Sequence, residues 1–150
     1  VSDTGRTREV HNAATGERVR FIRTAEETGG ELLVMEARWS SASHLTPGHV
    51  HPAMEERWTI LEGTVEFEID GRRTTAGPGE TVTAPAGVAH TNRNAGNGPA
   101  LMRIELRPAL RWEEFVRQLF ALASEELDGD QAQRSVEELL SEFEAEIELP

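Results

Sequence analysis

His49 and His51 stand one residue apart, Glu55 and Glu56 follow within five residues, and a further histidine, His90, lies downstream. On a strand, residues i and i+2 point to the same side. His49 and His51 can therefore present two imidazoles to one metal ion. A nearby carboxylate adds a harder donor, which suits a divalent transition metal. Glu55 has the parity of His51, but on an unbroken strand it would lie about 13 Å away at roughly 3.3 Å per residue. Metal–ligand bonds of about 2.0–2.2 Å do not span that gap. The chain must turn or bulge between His51 and the carboxylate, and Pro52 is a natural interruption because it cannot donate to a central ladder. Once the strand is broken, parity does not choose between Glu55 and Glu56.

Absences narrow the remaining chemistry. The chain has no Cys, no Lys and no Tyr, and all fifteen of its cationic side chains are Arg. Disulfides, thiolate metal sites and cysteine nucleophiles are excluded. So are Schiff-base chemistry and a P-loop lysine. A length of 150 residues suits one domain, and such a domain buries a core without covalent or metal staples.

The formal charge of −12 is uneven. Residues 113–150 hold 12 acidic and 2 basic residues, whereas residues 1–112 hold 15 and 13. Binding to a phosphate backbone is disfavoured, so no nucleic-acid partner is expected. Repulsion from anionic membrane surfaces and the lack of any apolar run near the roughly 20 residues of a span argue against a membrane partner. Val1–Arg6 lacks the apolar core of a signal peptide, which makes the cytoplasm the expected compartment.

The elements that must position the histidines read as strands. Residues 1–18 form a polar arm of loose chain or short edge segments. Val19 to Arg107 alternates repeatedly between apolar and polar. The clearest run has Val65, Phe67 and Ile69 on one face and Glu66 and Glu68 on the other. Asp70-Gly71 then signals a type I′ hairpin. Glycine and proline punctuation at 77–79, 85–87 and 96–99 implies many short antiparallel strands closed as a sandwich or barrel. From 108 to 150 the period changes. Trp112, Phe115, Val116, Leu119, Phe120, Leu122 and Ala123 mark one amphipathic helix, with Pro108 in its first turn and Gly129 ending it. Asp130 and Gln133 suggest a capping box for a second helix, whose stripe is Val136, Leu139, Leu140 and Phe143. The stripes must pack on the chain's own barrel or meet a second subunit.

The histidine segment and its downstream partner resemble the two motifs of the cupin superfamily, most closely its small single-domain members of the conserved-barrel type. The first motif asks for a glycine, five residues, His-x-His, three or four residues, Glu, six residues and Gly. The chain has His49-x-His51, four residues, Glu56, six residues and Gly63, with Ser43 where the first glycine belongs. In the second motif, Gly79, Pro85-Ala86-Gly87, His90 and Asn94 match every position. The resemblance implies an all-β, antiparallel jelly-roll barrel over 19–107, followed by two C-terminal α-helices that extend the same domain over 108–150. It also implies one divalent transition metal (Mn, Fe, Ni, Cu, Co or Zn) held by His49, His51, Glu56 and His90. That choice settles the carboxylate in favour of Glu56.

Three neutral imidazoles and one carboxylate leave such a metal at net +1 with an open position. If Glu56 points inward, so does Trp58, and Asn92 follows His90 inward in the same way. Trp58, Asn92, Met102 and Trp39 are the expected pocket residues. The implied activity is metal-dependent oxygenation, or Lewis-acid isomerisation or cyclisation, of a small organic molecule, with Glu56 able to serve as catalytic base. A non-catalytic module that binds a small molecule or metal is the alternative. Small cupins often form homodimers, so a second copy is the expected protein partner.

Overall fold

The computed structural model describes residues 7–40, 42 and 44–150. Residues 1–6 of the arm and Ser43, where the first motif departs from its glycine, lie outside the described residues. In chain order the elements are β1 (Glu9–His11), β2 (Arg18–Arg23), α1 (Ala25–Thr28), β3 (Leu33–Trp39), β4 (Leu45–His49), β5 (Glu55–Glu62), β6 (Val65–Ile69), β7 (Arg72–Ala76), β8 (Thr81–Ala84), β9 (His90–Asn94), β10 (Ala100–Arg107), α2 (Trp112–Leu122) and α3 (Gly129–Glu142).

The strands form two antiparallel sheets, ordered β1-β2-β3-β10-β5-β8 and β4-β9-β6-β7. This is the jelly-roll barrel followed by two helices that the sequence implied. The period-two pattern explains the inner face. Val19 and Phe21 on β2, Trp58 and Ile60 on β5, Val65 and Phe67 on β6, and Met102 and Ile104 on β10 are all buried. Their neighbours Arg20, Arg57, Thr59, Glu66 and Arg103 are not. Part of the expected arm is an edge strand, since β1 pairs with β2 in the register Val10↔Val19.

Two glycines carry tight backbone geometry. Asp70 and Gly71 take φ of 52° and 75°, which makes the two-residue hairpin joining Ile69 to Arg72. Gly63 has φ 85°, and a Cβ there would stand 2.5 Å from the Pro99 carbonyl oxygen. The second glycine of the first motif therefore serves the backbone between β5 and β6.

The helices differ from the expectation at three points. Pro108 is not in a first helical turn, because α2 begins only at Trp112. Gly129 does not end that helix, which stops at Leu122, but opens the next one. The capping box of α3 uses Asp128 and Gln131, with Gln131 N donating to Asp128 Oδ1 at 2.8 Å. Asp128/Gln131 and Asp130/Gln133 have identical spacing, and the structure uses the earlier pair, with Gly129 at the first helical position.

The stripe of α2 lies against the chain's own barrel, and α3 packs on α2 with Leu139 buried and Val136 left exposed. Trp112, Phe115, Val116 and Phe120 of α2, Leu139 of α3 and the following Phe143 and Ile147 are buried in one cluster with the barrel core. Fully burying such a side chain is worth about 1.5–3 kcal/mol, so the cap is firmly seated. Beyond α3 the chain returns to the barrel, where Val50 and Glu148 exchange both backbone hydrogen bonds at 2.8 and 2.9 Å. Among the described residues no helix is long and apolar enough to cross a membrane.

Candidate metal centre

His49 closes β4 opposite His90, which opens β9. His51 lies just past the Val50 bridge, and its carbonyl accepts from Gly87 N at 2.8 Å. The strand then breaks at Pro52 and restarts at Glu55, as the spacing required. On β5 the alternation sends Glu56 inward at 6% exposure and leaves Glu55 exposed. The four side chains meet at one point, where the ligand atoms of His49, His51, Glu56 and His90 all lie within 4.8 Å of one another. Ligand bonds of about 2.0–2.2 Å put donor atoms roughly 3–4.4 Å apart. The cluster therefore stands close to the size a metal ion would impose, and these residues could hold one.

The outer ring nitrogens support the same assignment. Nδ1 of His49 donates to the Pro47 carbonyl at 2.8 Å, Nδ1 of His51 to the Glu146 carbonyl at 2.8 Å, and Nδ1 of His90 to the Val88 carbonyl at 3.2 Å. A carbonyl can only accept, so each Nδ1 carries the proton and each Nε2 turns inward. Such outer hydrogen bonds fix the tautomer and orientation of metal-binding imidazoles. Inside, Glu56 Oε1 lies 2.8 Å from His51 Nε2 and 3.2 Å from His90 Nε2. Neutral imidazoles would meet that carboxylate with lone pairs. A shared cation, or protons on the rings, must stand between them, and the donor set fits a divalent metal.

The electrostatics express this crowding. Burial pushes the His49 imidazole down to about 4. Burial also works against a charged His51, but the hydrogen bond and charge of Glu56 outweigh it and raise that pKa. For Glu56 burial opposes ionisation, yet the hydrogen bonds and charges of His51 and His90 hold its carboxyl well below the ordinary carboxylate range. The remaining histidines stand apart. His44 is buried against Trp39, with ring centroids 4.3 Å apart, and His11 is exposed.

The cluster opens on a cavity of about 400 Å³ lined by both barrel and cap. Trp39, Trp58 and Asn92 line it, with Trp58 and Asn92 on the inward faces that alternation from Glu56 and His90 suggested. Met102 does not. It is fully buried opposite Ala37 and Ile60, one layer further along the barrel, where side chains fill the space. Ile104, opposite Trp58 and Met35, takes its place in the wall.

Two contributions escaped the sequence reading. Trp112 of α2 meets the His51 ring edge-on at 4.6 Å and lies parallel to His49 at 6.5 Å, so the cap forms part of the wall. Glu17 also lines the cavity and accepts from Trp39 Nε1 at 2.9 Å. Burial pushes its carboxyl up to about 7, against the Trp39 hydrogen bond, and the charge of Glu56 adds to the rise. The available signal was parity, since Glu17 alternates inward with Val19 and Phe21.

Residues 41–106 match the family described as the cupin domain. No curated protein matches the chain. Among solved structures, the chain is similar to KdgF from Halomonas sp., with a TM-score of 0.58 and 15% identity over 66% of this chain and 84% of that one. It is similar to a predicted oxalate decarboxylase from Thermotoga maritima, with a TM-score of 0.56 and 18% identity over 67% and 90% of the two chains. A sugar phosphate isomerase from Silicibacter pomeroyi, described as from a cupin superfamily, gives a TM-score of 0.54 and 22% identity over 64% and 62%. At these identities the likeness is one of fold.

Proposed function

We infer that this chain, whose residues 41–106 are a cupin domain, holds one divalent transition metal on His49, His51, Glu56 and His90 and acts through it on a small organic molecule. The observation that carries this reading is the convergence of three oriented imidazoles and one carboxylate beside a largely apolar cavity, which His49 and Glu56 line. A bound metal would supply Lewis-acid polarisation or, if redox-active, electron transfer with O₂.

The chain's own groups account for the rest. Carbonyls of Pro47, Val88 and Glu146 hold the three rings in their inward-facing tautomer. Trp58 and Trp112 pack against the histidines and exclude water from that side. Glu56 lines the cavity, so this carboxylate can also accept a proton from a molecule seated there. The two reactions consistent with this geometry are oxygenation, and isomerisation or cyclisation through a polarised oxygen.

Elemental analysis of untagged protein tests the site. Wild type should carry about one metal per chain, and His49→Ala and His90→Ala should lose it. The loss in affinity should exceed the roughly 10–100-fold cost of removing an outer hydrogen-bond partner. Stoichiometric metal retained in both variants would overturn the assignment. O₂ consumption with a redox-active metal selects oxygenation. Turnover with zinc selects Lewis-acid chemistry, and tight ligand binding without turnover selects a binding module.

A further inference from the structure

Asn92 lies on β9 two residues past His90 and faces the interior with it. It is 5% exposed, lines the cavity, and its Oδ1 has no hydrogen-bond partner. Buried side-chain acceptors are nearly always paired, and a dry one is costly. The atom marks a place where something outside the chain donates. Thr46, Asn92's cross-strand neighbour, lines the same wall, on the four-stranded sheet.

Glu17 and Trp39 occupy the other wall, at the β2–β3 side of the six-stranded sheet. Neither Asn92 nor Glu17 belongs to the histidine cluster. Between these polar groups the lining is apolar and rich in flat rings, with Trp39, Trp58, Trp112, Phe115 and Phe120 among it.

We propose that the cavity is a recognition site for an uncharged hydroxylated aromatic molecule, its ring between the two sheets and its hydroxyl donating to Asn92 Oδ1. This names a ligand class for the cavity already read as a small-molecule site, and rests on that reading. A volume of about 400 Å³ suits one or two fused rings, at the small end of ligand pockets. A sugar would bury more hydroxyls than these walls can pair. An anionic group on the ligand, seated away from the histidine cluster, would face the Glu17 carboxyl.

The test is equilibrium dialysis of the zinc-loaded full chain against 2-naphthol, naphthalene and 2-methoxynaphthalene. All three tryptophans line the cavity and the chain has no Tyr, so energy transfer from tryptophan to the bound probe reports binding there. Wild type should bind 2-naphthol about tenfold more tightly than either probe without a donor, since a missing donor leaves a buried acceptor unpaired. Asn92→Leu should abolish that preference. Equal binding of the three probes to wild type would mean that solvent serves the amide, and would overturn the proposal without any variant. A preference that persists in Asn92→Leu would overturn it as well.

Chelator-treated protein separates this proposal from the metal assignment. The preference should survive metal removal, and its disappearance would place the hydroxyl on the metal and sink the proposal. Metal retained in the His49→Ala and His90→Ala variants would defeat the metal assignment and leave the naphthol preference standing.

Discussion

Glu17 and Glu56 share one barrel, yet their carboxyls are pushed in opposite directions. Glu56 faces imidazoles that hold its negative charge in place, whereas Glu17 faces the Trp39 indole from β3 and the Glu56 carboxylate from β5. Among the described residues no arginine pairs with Glu17. Its pKa is raised from 4.5 to about 7, so the folded state binds its proton more tightly than the unfolded chain does. The resulting stability is complete below pH 4.5 and is lost as the pH rises through about 7. Glu17→Gln should therefore stabilise the metal-free protein at pH 8 by on the order of 1–3 kcal/mol. That gain should vanish below pH 4.5, and urea denaturation at the two pH values measures it. A constant difference across pH would mean that Glu17 does not titrate in this range. His49, His51 and Glu56 were legible because their spacing is local and repeats a known pattern, and His90 because a second motif carries it. Glu17 was not, because nothing near it distinguishes an inward carboxylate from a solvated one. Only the strand parity it shares with Val19 and Phe21 places it, and that strand is short.

The elements show the same division. The alternation of β6 and the Asp70-Gly71 turn were readable because both depend on neighbours in sequence. The start of α3 was misplaced because two capping pairs compete within the six residues 128–133, and burial of the stripe does not depend on which one is used. Gly63 is a sharper case. Its motif position is plain in sequence, but the reason lies 36 residues away at the Pro99 carbonyl. Gly63→Ala combines a positive φ with that clash and should cost more than about 1 kcal/mol, read as a lower denaturation midpoint. Phe143, fully buried beyond α3, packs edge-on against Phe115 at 5.5 Å and under the Arg111 guanidinium at 4.3 Å. Phe143→Ala should cost about 3–5 kcal/mol by the same measurement. A much smaller cost would show that the cap contributes little to the fold.

At the scale of the molecule, the barrel and its cap divide the labour unequally. The barrel supplies every proposed metal ligand, while the cap supplies a wall, the Glu146 carbonyl that orients His51, and most of the net negative charge. Removing residues 144–150 deletes the Val50 bridge and the His51 acceptor but leaves all four ligands. The truncated chain should fold as a barrel and bind zinc about 10–100-fold more weakly, as expected for loss of an outer partner, with chelator competition as the readout. Unchanged affinity would show that the C-terminal segment plays no part in the site.

The hydrogen bond between His51 and Glu146 spans 95 residues of sequence, and it sets an order on how the site comes into being. During synthesis His49, His51, Glu56 and His90 all leave the ribosome well before Glu146. A nascent chain can assemble its barrel and gather the four side chains while one imidazole still lacks the carbonyl that fixes its tautomer. An ion captured at that stage would be held by an incompletely oriented set and would exchange readily. Docking of residues 146–148 then completes the orientation of His51, so the four side chains reach their final arrangement only once that segment is in place.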